Sequence, residues 1–166
     1  NLDSLTDLPN RRACFTRLED ELRAASAVGG RAALGIVDLD GFKPVNDVYG
    51  HSTGDRLLVL VGRRLEDLAV ASGVFMARLG GDEFAFIQSG AGTDAELLRF
   101  GDSICAALQQ PFHLPEATVM IAGSVGIACS DDTIEPGELF DRADYALYQG
   151  KRLQRGQATL FDAGHN

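Results

Sequence analysis

Four acids stand where apolar runs meet turns: Asp38 and Asp40 at the end of "AALGIVDLD", Asp82 and Glu83 after the two glycines of "ARLGGDEFAFI". Alternation along a strand puts Asp38 and Asp40 on the same side of it. An Asp ahead of a Gly is a good turn former, which accounts for Asp40 before Gly41 but not for Asp38 inside the run. A carboxylate there is half buried and costly when unpaired, so a cation is its expected partner. Asp82 and Glu83 occupy the tip of what reads as a β-hairpin, whose glycines permit positive φ and close approach of backbone to a ligand. Hairpin turns favour Gly and Asp on conformational grounds alone; it is the pair of sites together that points to chemistry. With the strand ending at Asp38 beside this hairpin, both loops present hard oxygens to one spot. Such oxygens suit Mg²⁺ or Mn²⁺, which keep some waters and complete their shell from substrate phosphates.

The elements that must position these acids follow from periodicity. Residues 10–28 carry apolar positions at helical spacing and stop at Gly29-Gly30, and residues 31–39 form a short buried strand. After it comes a short helix broken near Gly50, then a longer amphipathic helix to about Ala71. "VFMARL" and "EFAFIQ" are the two arms of the hairpin around Gly80-Gly81. Thr93 caps a helix that ends before Pro111, "ATVMIAGSVGIACS" reads as one strand with period-2 character, and Pro136 opens a helix that buries Phe140, Ala143, Ala146 and Leu147. "ATLF" is a final edge strand. The order α-β-α-α-β-β-α-β-α-β predicts an α+β fold, a central, mainly antiparallel sheet flanked by helices.

A chain of 166 residues is expected to form one domain, over 1–166, and buries roughly 70% of its unfolded surface. Fifteen Lys and Arg against 24 Asp and Glu leave a net charge of −9, which disfavours nucleic acid but not a small phosphate ligand neutralised by metal. Cys14, Cys105 and Cys129 are odd in number, far apart and set in apolar patterns, as core residues of a reducing compartment are. No apolar run reaches the length of a membrane span and no signal peptide is visible, so the expected location is cytoplasmic, within a parent protein whose anchoring is open. The first residues, "NLDSLTD", lack an initiator Met and read as the start of a domain cut from a longer signalling protein.

"VDLDGF" resembles the hydrophobic-DxDG start of haloacid-dehalogenase phosphatases, but Phe42 stands where Thr or Val normally follows, and no downstream Lys and acidic pair appears in the required order. A second resemblance runs almost end to end. "RLGGDEF" resembles the signature turn of GGDEF domains, the diguanylate cyclases that condense two GTP into cyclic di-GMP. "DSLTDLPNRR" matches that family's D-x-L-T-x-L-x-N-R opening, "DLDGFKPVNDVYGHSTGD" its D-x-D-x-F-K-x-x-N-D-x-x-G-H-x-x-G-D, and "ADYALYQGK" its A-D-x-A-L-Y-x-A-K helix. The resemblance implies a nucleotidyl-cyclase-like, palm-type fold.

It also implies roles. Asp38 would ligate two metals, Mg²⁺ or Mn²⁺, the carbonyl of Leu39 one of them, and Asp82 would complete the site and serve as base for the 3′-hydroxyl, with Glu83 as a supporting acid. Lys43 would neutralise charge on the transferring phosphoryl group. Asn46 and Asp55, with His51 nearby, match the residues that read guanine, a carboxylate accepting from N1–H and the 2-amino group. Gly80 and Gly81 would let backbone approach the phosphates, and Lys151 and Arg155 match the basic pair for the terminal phosphates. Each domain would hold one GTP, and a homodimer would place each 3′-hydroxyl against the other nucleotide's α-phosphate.

Two departures stand out. Family members inhibited by their product carry R-x-x-D ahead of the signature turn; Ala71 and Val74 occupy those positions here, so the inhibitory site is expected to be missing. In the last motif Gly150 replaces Ala, Gln154 replaces Gly and Gly156 replaces Asn. An active cyclase is the leading expectation. The alternative is a catalytically weak GTP-binding regulatory module, followed in the parent by a phosphodiesterase domain of the EAL type.

Overall fold

The structure, a computed structural model, describes residues 1–162. Asn10 caps α1 (Arg11–Ala27), its side chain accepting from the Ala13 N–H at 2.9 Å. Then follow β1 (Ala33–Asp40), α2 (Phe42–Tyr49) and α3 (His51–Ser72). The hairpin strands are β2 (Phe75–Gly80) and β3 (Glu83–Gln88), and Thr93 and Glu96 close a reciprocal capping box on α4 (Asp94–Leu108). Beyond come β4 (Phe112–His113), β5 (Thr118–Val119), β6 (Ala122–Cys129), α5 (Pro136–Leu153) and β7 (Ala158–Leu160).

The main sheet has five strands in the order β2-β3-β1-β6-β7, antiparallel throughout except for the parallel β6–β7 pair. This is the α+β arrangement expected, with β1 at its centre. Alternation along β1 divides the core: Leu34 and Ile36 pack with Cys14, Leu18, Phe140 and Leu147 from α1 and α5, while Val37 and Leu39 pack with Leu57, Val61, Leu97 and Ile104 from α3 and α4. Asp38 and Asp40 therefore continue the α1/α5 face of the strand at its end.

One expected element is divided. The stretch 117–130 is not a single strand: Thr118 and Val119 pair with Phe112 and His113 in a small separate hairpin, and only from Ala122 does the chain join β1. Its alternation is real up to the break, with Val119 and Ile121 buried around exposed Met120, but β6 beyond it is buried on both faces and the pairing partner changes between them. The cysteines are free; burial pushes the Cys14 and Cys105 thiols up to about 12, as expected of core residues. Among the described residues no helix is long and apolar enough to cross a membrane.

Candidate active site

The end of β1 brings the two acidic stretches together. Asp38 pairs across the ladder with Glu83 on one side and Ser124 on the other, and the Leu39 N–H donates to the Asp82 carbonyl at 3.1 Å. The hairpin register slips between Arg78 and Gly80, and Gly80 (φ 132°) and Gly81 (φ 51°) take conformations closed to most side chains. That backbone delivers Asp82 to the end of β1. Arg78 holds the turn, donating from Nε and Nη2 to the Gly81 carbonyl at 3.2 and 2.8 Å.

Electrostatics follow from this crowding. Burial, then the charge of Asp38, pushes the Asp82 carboxyl above the usual range, with Asp40 adding to the shift and Lys151 opposing it. Glu83 is raised by burial and by Asp144, Asp38 and Asp82, against the Arg11 charge. Asp144 on α5 is raised by burial and by Asp141 and Asp38.

Helix α5 supplies the counter-charges. A Cβ at Gly126 would lie 2.3 Å from the Ala143 carbonyl oxygen, so α5 rests directly on the backbone of β6. Two turns further along, Lys151 reaches β1: its Nζ pairs with Asp38 Oδ2 and lies 3.6 Å from Asp40 Oδ1. Arg155 Nη1 donates to the same Asp40 oxygen at 2.5 Å. The departures in this segment are accommodated. Gln154 is extended at φ −162°, open to any residue, and the left-handed turn is made at Gly156, φ 85°. Gly150 faces Thr159, whose Oγ1 would be 2.1 Å from a Cβ there.

The remaining residues lie on α2 and α3. Asn46 is half buried, with its Oδ1 enclosed and without a hydrogen-bond partner, directly over Gly54 of α3. His51 and Asp55 are exposed in the first turns of α3, and among the described residues Asp55 makes no ion pair. Lys43 is not drawn to the acids: it lies on the surface of α2 and pairs with Asp47 at 3.5 Å. Leu39 is buried among core residues, so only its backbone can serve the site. Ala71 is exposed at the end of α3, while Val74 is buried.

The donor set fits a hard divalent cation. Asp38 and Asp82 crowd one point and repel each other. Among the described residues no three His, Cys, Asp or Glu side chains converge as a complete cage. Two carboxylates, with the rest of the shell left to water and phosphate oxygens, are what Mg²⁺ takes in preference to an all-protein cage. Sequence reasoning set Asp40 beside Asp38 but accounted for it as a turn former, and it did not single out Ser124. The i, i+2 spacing of Asp38 and Asp40 was the available signal for the first; nothing local marks the second.

A family model described as "Diguanylate cyclase, GGDEF domain" matches residues 1–157. The diguanylate cyclase TpbB of Pseudomonas aeruginosa is 39% identical over 160 residues, covering 95% of this chain and 37% of that protein. The bifunctional diguanylate cyclase/cyclic di-GMP phosphodiesterase MucR of the same species is 37% identical, covering 99% of this chain and 24% of that protein. The chain thus spans well under half the length of these two relatives. Among solved structures, the GGDEF domain of TpbB superposes with a TM-score of 0.90 at 38% identity, covering 98% of this chain and 95% of that one. The GGDEF domain of DgcB from Caulobacter crescentus, solved with c-di-GMP, does so at 0.89 and 30%, covering 98% and 93%. Motif, fold and site geometry converge, and the chain belongs to the GGDEF domain, diguanylate cyclase family.

Proposed function

We propose that this domain is a diguanylate cyclase, condensing two GTP into cyclic di-GMP with release of two pyrophosphates. The observation that carries the reading is the meeting of Asp38, at the end of β1, with the turn that presents Asp82, whose carboxyl is raised by burial and by the Asp38 charge. In this reading Asp38, Asp82 and the Leu39 carbonyl hold divalent metal. When bound, Mg²⁺ or Mn²⁺ supplies charge stabilisation for the attacking oxygen and the departing pyrophosphate.

Asp82, with its raised carboxyl, is the acceptor for the 3′-hydroxyl proton, and Glu83 supports it. Asn46 and Asp55, beside His51, read the guanine edge; the half-buried Asn46 amide, whose Oδ1 has no partner, and the exposed Asp55 carboxylate support that reading. Gly80 and Gly81 let the turn approach the phosphates without side chains in the way. Lys151 and Arg155 bind the terminal phosphates, and Lys43 would have to leave Asp47 to reach the transferring group. One domain holds one nucleotide, so the reaction needs a second copy of the domain facing it. The parent is read as a multidomain protein, as the fraction of TpbB and MucR covered suggests.

The test is GTP turnover with Mg²⁺ or Mn²⁺ at high protein concentration, with cyclic di-GMP read by chromatography beside an Asp82→Ala control. Product that rises more than linearly with protein and vanishes in the control is the expected result. GTP binding without product would make the domain a regulatory GTP-binding module instead.

A further inference from the structure

Asp40 has no part in the metal set or the base pocket, yet it is the most heavily engaged carboxylate at the end of β1. Its Oδ1 accepts from Arg155 Nη1 at 2.5 Å and lies 3.6 Å from Lys151 Nζ. Its Oδ2 accepts from Ser124 Oγ at 3.1 Å, and Ser124 Oγ in turn accepts the Gly156 N–H at 3.0 Å. Ser124 is only 2% exposed, one of two buried polar or charged residues among those described. Two strands of the sheet thus tie down the segment 151–156 at three points.

We propose that Asp40, backed by Ser124, is a positioning residue that aims Lys151 and Arg155 at the terminal phosphates of the bound nucleotide. The inference rests on the phosphate-binding role proposed above for those two cations. Arg155 lies beyond the end of α5 with 63% of its side chain exposed, and among the described residues Asp40 is what fixes its guanidinium. A free arginine there would have to be ordered at the moment of binding, at the cost of its rotamer freedom. Asp40 holds only Nη1, and the guanidinium's other N–H groups remain for phosphate oxygens. Lys151 divides its contacts between Asp38 and Asp40. Once Asp38 gives its charge to a divalent cation, Asp40 is the partner that keeps the ammonium in place.

Asp40→Asn preserves the shape of the side chain and an acceptor for Ser124 while removing the charge. Two ligands separate positioning from folding: α,β-methylene GTP, which cannot react at the α-phosphate, and GMP, which carries the same base and ribose without the terminal phosphates. Titration by calorimetry in Mg²⁺ is expected to show the triphosphate analogue weakened about fivefold and GMP within twofold of wild type. Ser124→Ala, which frees the Gly156 turn but keeps Asp40 charged, is expected to shift the same ratio in the same direction. Equal weakening of both ligands would mean a merely structural role and would overturn the proposal, as would unchanged or tighter binding of the analogue. A Lys151→Ala control separates this failure from that of the underlying reading. If that variant discriminates between the two ligands as the wild type does, the cations do not bind terminal phosphates at all.

Discussion

Arg78 and Gly81, three residues apart on the two sides of the hairpin bend, are joined by two hydrogen bonds from the Arg78 guanidinium to the Gly81 carbonyl, at 3.2 and 2.8 Å. The free end of that guanidinium, Nη1, is held by Asp3 at 2.9 and 3.1 Å, and the Arg78 N–H donates to the Pro9 carbonyl at 2.9 Å. The N-terminal segment is therefore a clamp on the turn that carries Asp82.

Removing the clamp should cost both stability and activity. Burial disfavours the Asp3 carboxylate, but hydrogen bonds from Thr6 and Arg78 outweigh it and hold this carboxyl below its usual value. Asp3→Asn is expected to destabilise the domain by about 2 kcal/mol, a typical loss for hydrogen bonds to a partly buried charge. Arg78→Lys, which cannot bridge Gly81 and Asp3 with a planar fork, should lower turnover further than it lowers melting temperature. Thermal melts beside initial rates check both. Equal activity in Arg78→Lys would remove Arg78 from the positioning of the turn.

The raised carboxyls make a prediction about pH. An acid whose folded value lies above its unfolded one takes up a proton on folding. The associated stability is full below the unfolded value of 3.8 for Asp82 or 4.5 for Glu83, and is lost as pH rises through the raised folded value. Above those raised folded values the metal-free protein carries the burial and repulsion that raised the Asp82 and Glu83 carboxyls. Asp82→Asn should melt a few degrees higher than wild type at pH 7, with the difference shrinking below the unfolded value. A melt series from pH 3.5 to 7.5 in EDTA reads it. A variant less stable than wild type at pH 7 would contradict the assignment.

Gly54 and Asn46 separate stability from recognition. A Cβ at Gly54 would lie 1.7 Å from Asn46 Oδ1, the end of a side chain that can swing away, while Ala is favoured over Gly in a helix by ~1 kcal/mol. Gly54→Ala is thus expected to leave the melting temperature within a few degrees of wild type and to weaken GTP binding at least tenfold by displacing Asn46. Unaltered GTP affinity would take Asn46 out of the base pocket.

Product control is the fourth expectation. Val74 is buried and Ala71 offers only a methyl group at the two positions where product-inhibited family members carry charge. Titration with cyclic di-GMP, the nucleotide pocket blocked by α,β-methylene GTP, should show no tight binding. Tight binding under those conditions would reveal an inhibitory site of different composition.

Much of this was legible from local chemistry. The cap at Thr93, the helical spacing of α5 and the paired glycines of the turn depend on residues a few positions apart, so helices and hairpin could be read directly. The same-side placement of Asp38 and Asp40 followed from strand alternation alone. What depended on the tertiary fold was distance along the chain: Lys151 meets Asp38 across 113 residues and Arg155 meets Asp40 across 115. The order β2-β3-β1-β6-β7 puts Ser124 and the hairpin on opposite sides of one strand end. The small β4–β5 hairpin was hidden for the same reason. In sequence the alternation of Val119 and Ile121 runs on to Val125 and Ile127 of β6, and such a pattern does not report which strand is the neighbour. Lys43 shows the converse: its motif position suggests a phosphate, but an exposed α2 surface and an Asp one helical turn away govern where its ammonium rests.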